Sequence, residues 1–154
     1  MKDFMRSFPF RLLAPFTLLV CWLFSANTPA FGFADDYVVI VNKANPVDSI
    51  SAADLKKMFL GEKTTWPNST KVIPITPGQD RPEFVPAIKR ATGMSSADFK
   101  RYFIQLSFLG KVVAQPKTLD STAAIARYIS SSPGAISCVP AADAGSAVKI
   151  LKVE

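Results

Sequence analysis

The 154-residue sequence contains no histidine and only two cysteines, Cys21 and Cys138. Histidine is the usual general base at neutral pH and the commonest metal ligand in proteins, so its absence removes Ser-His and Cys-His catalysis and most metal sites. We therefore predict that the protein has no catalytic residues, no metal site and no cofactor, and that it is not an enzyme.

Long hydrophobic runs are also scarce, since the main one covers residues 12–24 and follows three basic residues. It is too short to span a bilayer comfortably, and Pro15 interrupts it. A basic segment, a short apolar segment and then small residues are typical of a secretory signal peptide. We predict that residues 1–34 form such a signal, with cleavage after Ala34 or, as a second choice, Ala30. The alternative is an uncleaved membrane anchor.

Without residues 1–34, the chain has 120 residues and a single cysteine, so an intramolecular disulfide is excluded. This length suits one domain, residues 35–154, with a core of its own. The segment keeps 15 lysines and arginines and 11 acidic residues, which gives a net charge of +4. The basic residues are scattered, so no nucleic-acid partner is expected. Cys138 lies in an apolar run and is interpreted as a small buried side chain.

Hydrophobic periodicity predicts four strands, at residues 37–42, 71–76, 135–139 and 148–153. Cap-like residues predict four helices, which begin at Ser51, at about Arg81, at Ser95, and at Asp120 or Ser121. The order β-α-β-α-α-α-β-β implies an α/β fold with a sheet between helices. Trp66, in the turn-rich loop after the first helix, is expected to pin that loop onto the body.

The stretch from residue 72 to 84 holds the clearest candidate for a binding site. It is predicted to be a strand, a tight turn and the start of a helix, and such a turn points backbone N–H groups at one spot, where proteins commonly hold anions. The start of the last predicted helix offers the hydroxyl groups of Ser121 and Thr122 as further donors to an anion. We predict an oxyanion-binding site made of Thr76, Gly78, Gln79, Asp80, Arg81, Ser121 and Thr122.

Asp80 gives this turn an alternative interpretation. As the N-cap, it would accept hydrogen bonds from the N–H groups that an anion needs, and Glu83 would complete a capping box. The helix dipole offers an anion roughly 0.3–1 kcal/mol, whereas two like charges at about 4 Å repel by about 4 kcal/mol at an effective dielectric constant of about 20. Arg81 would offset this repulsion, and a protonated oxyanion could donate its proton to Asp80. In the alternative, Arg81 forms only a surface ion pair.

Five segments, taken in order, resemble the phosphate-binding proteins of bacterial phosphate ABC transporters and short stand-alone members of their superfamily. They are Val39-Ile40-Val41-Asn42 with Asn45-Pro46-Val47, Leu55…Phe59-Leu60-Gly61…Trp66, residues 76–84, Tyr102…Phe108-Leu109-Gly110-Lys111…Pro116, and Ser132-Pro133-Gly134-Ala135-Ile136. The resemblance implies a single lobe of a type 2 periplasmic-binding-protein fold, with a mixed sheet flanked by helices.

The resemblance also implies where a ligand would bind. Where the family has a Gly-Ser-Gly-Thr-Arg-like run, this chain has the shorter Pro77-Gly78-Gln79-Asp80-Arg81. Arg81 matches the arginine of the family and Phe84 the phenylalanine that follows it, while the serine and threonine hydroxyls have no counterpart. The resemblance therefore supports the fold of the family in this chain more strongly than it supports the binding site of the family.

Together these features predict a non-catalytic solute-binding-like protein of the periplasm or the medium, linked to phosphate ABC transport. We expect it to bind phosphate or a related oxyanion weakly, or only with a partner such as an envelope protein or an ABC permease. The alternative is a periplasmic accessory, interaction or sensory module that has lost its ligand. A hydrolase driven by Asp80 and Glu83 is a third hypothesis, which the lack of histidine disfavours. We expect no membrane span once the signal is removed.

Overall fold

The computed structural model describes residues 37–111 and 113–154. The predicted signal peptide, residues 1–34, and both of its cleavage sites lie outside the described residues. The elements, in chain order, are β1 (Tyr37–Val41), β2 (Ser49–Ile50), α1 (Ala52–Phe59), β3 (Ile73–Pro77), α2 (Phe84–Thr92), α3 (Ser96–Phe108), β4 (Lys117–Leu119), α4 (Thr122–Ser131), β5 (Ala135–Pro140), a 3-10 turn (Ala141–Asp143) and β6 (Lys149–Val153).

The strands form one mixed sheet in the order β2-β6-β1-β5-β3-β4. β1 is antiparallel to both of its neighbours, β5 and β6, whereas β2 with β6, β5 with β3, and β3 with β4 are parallel pairs. Five of the described strands therefore run in one direction. Their last residues, Ile50, Pro77, Leu119, Pro140 and Val153, lie along one edge, which we call the carboxyl edge. The predicted α/β fold with a mixed sheet is confirmed.

Helices cover both faces of the sheet, and this burial explains the apolar strands. In β1, Val39 and Val41 contact the core beneath α1 and α2, while Ile40 between them contacts the core beneath α4. β5 is buried along almost its whole length, and Cys138 lies within it as a free thiol whose pKa is raised by burial to about 12. The interpretation of Cys138 as a small buried side chain is confirmed. α3 packs on the outside of α2 through Phe84, Ile88, Phe99 and Phe103.

Three of the predicted helix starts are formed as expected. Ser51, Ser95 and Ser121 are N-caps whose hydroxyl oxygen accepts the backbone N–H three residues later, each at 3.1 Å. These bonds satisfy N–H groups that a helix start leaves without a partner. For α4, Ser121 rather than Asp120 is the cap.

The structure adds two strands, β2 and β4, that the predicted element order lacks. β2 has two residues and β4 has three, of which Lys117 and Thr118 are exposed. Strands this short carry no readable periodicity, and their pairing with a neighbouring strand alone defines them. The predicted element order, which has no strand between the third and fourth helices, is therefore wrong at β4. No described helix is long and apolar enough to cross a bilayer.

The loop that carries Trp66 is fixed to the sheet at Gly134. The Trp66 side chain is buried, and its Nε1–H donates to the Gly134 carbonyl oxygen at 3.1 Å. The Ile73 N–H donates to the same oxygen at 2.9 Å, at the point where β3 and β5 begin. A Cβ atom on Gly134 would lie 1.9 Å from the Lys71 carbonyl oxygen, so only glycine permits this approach. The prediction that Trp66 pins its loop is confirmed.

We expect Gly134→Ala to lower the free energy of unfolding by about 1–3 kcal/mol or more, because the added methyl group must displace the backbone at Lys71. The matched control is Gly145→Ala, since a Cβ atom there meets nothing within 4 Å. The control should stay within about 0.5 kcal/mol of the wild type in urea unfolding followed by circular dichroism. Equal stabilities of the two variants would contradict the close contact at Gly134.

Candidate functional site

The parallel β3–β4 pair brings the two halves of the predicted oxyanion site together. Thr76 lies opposite Thr118, and Pro77 lies opposite Leu119. The Gly78 N–H then donates to the Leu119 carbonyl oxygen at 3.1 Å, which extends the pairing by one residue. The turn after β3 and the start of α4 therefore leave the sheet side by side at the carboxyl edge, where ligands of open α/β sheets commonly bind.

The predicted site residues differ in their access to solvent. Thr76 and Gly78 are buried at the end of β3, and Thr122 is half-buried at the start of α4. The side chains of Gln79, Asp80, Arg81 and Ser121 are exposed. The exposed residues, the half-buried Thr122 and the backbone of the turn can meet a ligand directly, while Thr76 and Gly78 lie beneath them.

The turn does not run directly into α2. The Arg81 N–H donates to the Gly78 carbonyl oxygen at 2.9 Å, and the Phe84 N–H donates to the Arg81 carbonyl oxygen at 3.1 Å. These two successive turns delay the start of α2 to Phe84, three residues later than predicted. Pro86 then falls in the first turn of the helix, where proline is tolerated because no N–H donor is needed.

The predicted capping box at this turn is wrong. The N-cap of α2 is Glu83, not Asp80, and the Glu83 side chain makes no capping hydrogen bond. The physical reason is that the two turns place Asp80 too early in the chain to reach the first free N–H groups of the helix. Neither the Asp80 nor the Glu83 carboxylate therefore accepts a capping hydrogen bond from the start of α2.

The Asp80 carboxylate instead folds back over the turn. A Cβ atom on Gly78 would lie 2.7 Å from Asp80 Oδ1 and 3.4 Å from Arg81 Cγ, so both side chains stand close to this glycine. The predicted surface ion pair of Arg81 is also wrong, because no carboxylate of the described residues lies within salt-bridge distance of its guanidinium group. The guanidinium charge of Arg81 is left available to a ligand.

The start of α4 contributes a hydroxyl group to the same edge. Ser121 Oγ accepts the Ala124 N–H at 3.1 Å, and this bond leaves the hydroxyl proton of Ser121 available as a donor. Thr122 is the first residue of α4. The two hydroxyl groups lie near the positive end of the α4 dipole, which favours an anion over a cation.

Further along the carboxyl edge, the surroundings are acidic. Tyr37 at the start of β1 lies opposite Pro140 at the end of β5. Partial burial raises the pKa of the Tyr37 phenol, and the carboxylates of Glu83 and Asp143 raise it further. No pattern in the sequence indicates this cluster, because the pairing of β1 with β5 brings Tyr37 near Asp143 and the packing of α2 on β1 brings Glu83 near Tyr37. A fully ionised anion would be repelled here.

A separate shallow groove of about 320 Å³ lies between the start of α1 and the end of α2. Small residues form most of its lining, with Lys56, Lys89 and Arg90 among the rest. None of the predicted site residues lines it. Within the described parts of the chain, no group of three or more acidic or cysteine side chains is placed to hold a metal ion.

A family model described as a PBP superfamily domain matches residues 33–151 of this chain. Solved structures with a similar fold include an ABC-type phosphate transport receptor from Vibrio cholerae, with 16% identity and a TM-score of 0.53. A phosphate ABC transporter substrate-binding protein from Clostridium perfringens, solved with bound phosphate, has 15% identity and a TM-score of 0.60. PstS from Borrelia burgdorferi has 15% identity and a TM-score of 0.58.

Each of these likenesses covers 77% of this chain. The chain in turn spans 46%, 44% and 47% of the three proteins, in the same order, which is less than half of their length. At these identities the likeness shows a shared fold. This chain corresponds to one part of each of the three larger proteins.

Stability measurements can test which of two residues predicted to cap a helix, Ser121 at α4 and Asp80 at α2, contributes a capping bond. We expect Ser121→Ala to lower the free energy of unfolding by about 0.5–2 kcal/mol, because it removes the acceptor of the Ala124 N–H. We expect Asp80→Ala to change it by less than about 0.5 kcal/mol, because the Asp80 carboxylate caps no helix. Urea unfolding of both variants tests this. A cost at Asp80 as large as that at Ser121 would restore the predicted capping box.

Proposed function

This chain belongs to the PBP superfamily domain family, and on that premise we propose that it is a non-catalytic solute-binding-like protein. In this proposal, the carboxyl edge binds phosphate or a related small oxyanion. The proposal includes export to the periplasm or the medium through residues 1–34 and cleavage after Ala34.

The β3–β4 pairing is the observation that carries the proposal. By this pairing, the turn that carries Arg81 and the segment that leads into Ser121 and Thr122 leave the sheet from adjacent strand ends, which supports a site made of one cation, two hydroxyl groups and free backbone N–H groups. The N–H groups of Gln79 and Asp80 donate to no acceptor among the described residues. Donors of these three kinds are the ones that proteins use to bind oxyanions.

Asp80 sets which oxyanion this edge accepts. Its carboxylate repels a fully ionised anion, but it accepts a hydrogen bond from an anion that still carries a proton. Monohydrogen phosphate has such a proton at neutral pH, whereas sulfate has none. The site is therefore proposed to favour phosphate over sulfate.

The binding is proposed to be weak for this chain alone. The donors described above lie at one edge of a single lobe, and the chain spans less than half of the phosphate transport proteins that share its fold. A ligand at an open edge stays exposed to water, which lowers the strength of its electrostatic contacts. A partner that covers the edge, such as an ABC permease or an envelope protein, would strengthen it.

Calorimetric titration of residues 35–154, which hold every described strand and helix, tests the proposal. We expect the wild type to bind phosphate with a millimolar dissociation constant. Arg81→Ala should weaken binding by about tenfold or more, because it removes a charged donor worth about 1.5–3 kcal/mol. Arg127→Ala, which removes an exposed arginine on α4, is the matched control and should bind like the wild type. Sulfate should bind more weakly than phosphate.

The proposal fails if phosphate at millimolar concentration gives neither heat nor a thermal shift. It also fails if Arg81→Ala and Arg127→Ala bind phosphate equally well. A sulfate affinity equal to that of phosphate would contradict only the role proposed for Asp80, and the rest of the proposal would stand.

A second candidate function is that of an accessory or sensory module that no longer binds a ligand. The observation in its favour is the position of the Asp80 carboxylate, which folds over Gly78 where an anion would approach. In this case, the carboxyl edge would serve as a surface for another protein of the cell envelope.

Capture of the tagged full-length chain from cell envelopes tests the second function. We expect a specific partner to be recovered with the wild type and lost with Gln79→Trp, which obstructs the exposed turn at the carboxyl edge. Lys43→Trp, in the exposed loop at the other end of β1, is the control and should keep the partner. Recovery of the same proteins with both variants would count against this function.

A further inference from the structure

The outer side of α3 ends in three bulky apolar side chains that face solvent. Ile104, Phe108 and Leu109 are 55%, 87% and 69% exposed, respectively, and we call them the Phe108 patch. Ile104 and Phe108 are four residues apart, so they stand one above the other on one side of the helix. The buried residues Phe99 and Phe103 occupy the side that faces α2. Bulky apolar side chains exposed together commonly mark a site of interaction.

The backbone beneath the Phe108 patch is fixed, so the exposure does not come from a frayed helix end. The Gly110 N–H donates to the Ser107 carbonyl oxygen at 3.1 Å, and the Lys111 N–H donates to the Leu106 carbonyl oxygen at 3.0 Å. Gly110 adopts a φ of 65°, which completes the Schellman motif that closes a helix. Phe108 and Leu109 are therefore held outward at a well-formed helix end.

The segment that carries the Phe108 patch is basic, and Glu62, which accepts a hydrogen bond from the Tyr102 hydroxyl of α3 at 3.1 Å, is the acidic residue that reaches this helix from another segment. Residues 96–111 contain three cations, Lys100, Arg101 and Lys111, and one acidic residue, Asp98, which forms a salt bridge with Arg101 at 2.9 Å. Lys100 lies one turn before Ile104 in the sequence of α3, and its exposed side chain extends toward the start of α2, where its Nζ is 5.4 Å from the centre of the Phe84 ring. Lys111 follows directly after the Schellman motif. A net charge of +2 thus accompanies the apolar side chains.

We propose that the Phe108 patch docks on the surface of an anionic phospholipid bilayer. Phe108 and Leu109 enter the interface between headgroups and acyl chains, while Lys100 and Lys111 contact the anionic headgroups. Apolar side chains flanked by lysines are the combination that binds such interfaces. The lysines favour an anionic bilayer over an uncharged one, because each lysine near an anionic surface adds about 1 kcal/mol of attraction.

The strong exposure of Phe108 favours a bilayer over a rigid partner. A side chain that is 87% exposed projects from the surface, and the fluid interface of a bilayer can receive it without a preformed pocket. The contact would be peripheral and reversible, and it would hold the lobe against the membrane. It shares no residue with the proposed oxyanion site, so it stands independently of the proposed function.

Co-sedimentation of residues 35–154 with vesicles tests the proposal. We expect binding to vesicles of equal parts phosphatidylglycerol and phosphatidylcholine, and none to vesicles of phosphatidylcholine alone. Phe108→Ser should weaken binding by about tenfold or more, because it removes the largest apolar side chain. Ile150→Ser, at a residue 51% exposed on β6, is the matched control and should bind like the wild type.

The lysines need a control of their own. Lys100→Gln with Lys111→Gln should weaken binding by about fivefold per lysine, and raised salt should do the same. Lys43→Gln with Lys71→Gln removes the same charge from exposed positions away from α3 and should have a smaller effect.

Tryptophan fluorescence provides a second measurement that does not depend on loss of binding. Trp66, which is buried, is the only tryptophan in residues 35–154. Phe108→Trp therefore adds a reporter at the patch, and its emission should shift to shorter wavelengths with phosphatidylglycerol vesicles. A Phe108→Ser variant that unfolds would be recognised by its melting curve, and the Phe108→Trp variant would still decide the question.

Three results would overturn the proposal. The first is no sedimentation of the wild type with anionic vesicles, and the second is unchanged sedimentation of Phe108→Ser. The third is a wild-type dimer, seen by light scattering, that Phe108→Ser converts to a monomer without any vesicle binding by either form. That result would assign the Phe108 patch to a second copy of this chain.

Discussion

The pairing of β5 with a strand on each side is the constraint on which the rest of the structure depends. β5 is antiparallel to β1 and parallel to β3, and it is buried on both faces. The antiparallel pair joins the first described strand to a strand near the end of the chain. The parallel pair directs the ends of β5 and β3 to the same edge, and β4 ends there too because it pairs in parallel with β3. Gly134 permits this arrangement, because a Cβ atom there would collide with the Lys71 carbonyl oxygen. The Gly134 carbonyl oxygen accepts hydrogen bonds from Trp66 and Ile73 where β5 begins.

The same geometry determines the balance of charge at the carboxyl edge. It brings the turn that carries Arg81 to the strand that leads into α4, and it also brings carboxylates to the same edge. Asp80 lies against Gly78, and Glu83 and Asp143 both act on Tyr37. Since like charges repel more strongly where water is partly excluded, the protonation of a ligand matters as much as its size. An edge of this kind suits a proton-bearing oxyanion or the surface of another protein.

Elements with strong local signals were predicted correctly, and elements that depend on a partner were not. Ser51, Ser95 and Ser121 cap helices as expected, because a cap needs only an N–H group three residues away. β4 was missed, because its three residues become a strand only beside β3. The start of α2 was placed too early, because the turns closed by Gly78 and Arg81 compete with the helix for the same backbone. The acidic cluster around Tyr37 had no sequence signal at all.

The sequence by itself determined the buried strands, the free buried thiol and the position of the turn that carries Arg81, and its resemblance to phosphate-binding proteins indicated the fold family. The buried strands, the thiol and the turn follow from side-chain hydrophobicity and from contacts between residues close in the chain. Only the tertiary structure decided that the turn lies beside Ser121, that Asp80 caps nothing, and that Phe108 projects into solvent. The reason is that strand direction, long-range pairing and exposure depend on residues far apart in the chain, whose mutual positions no local pattern encodes.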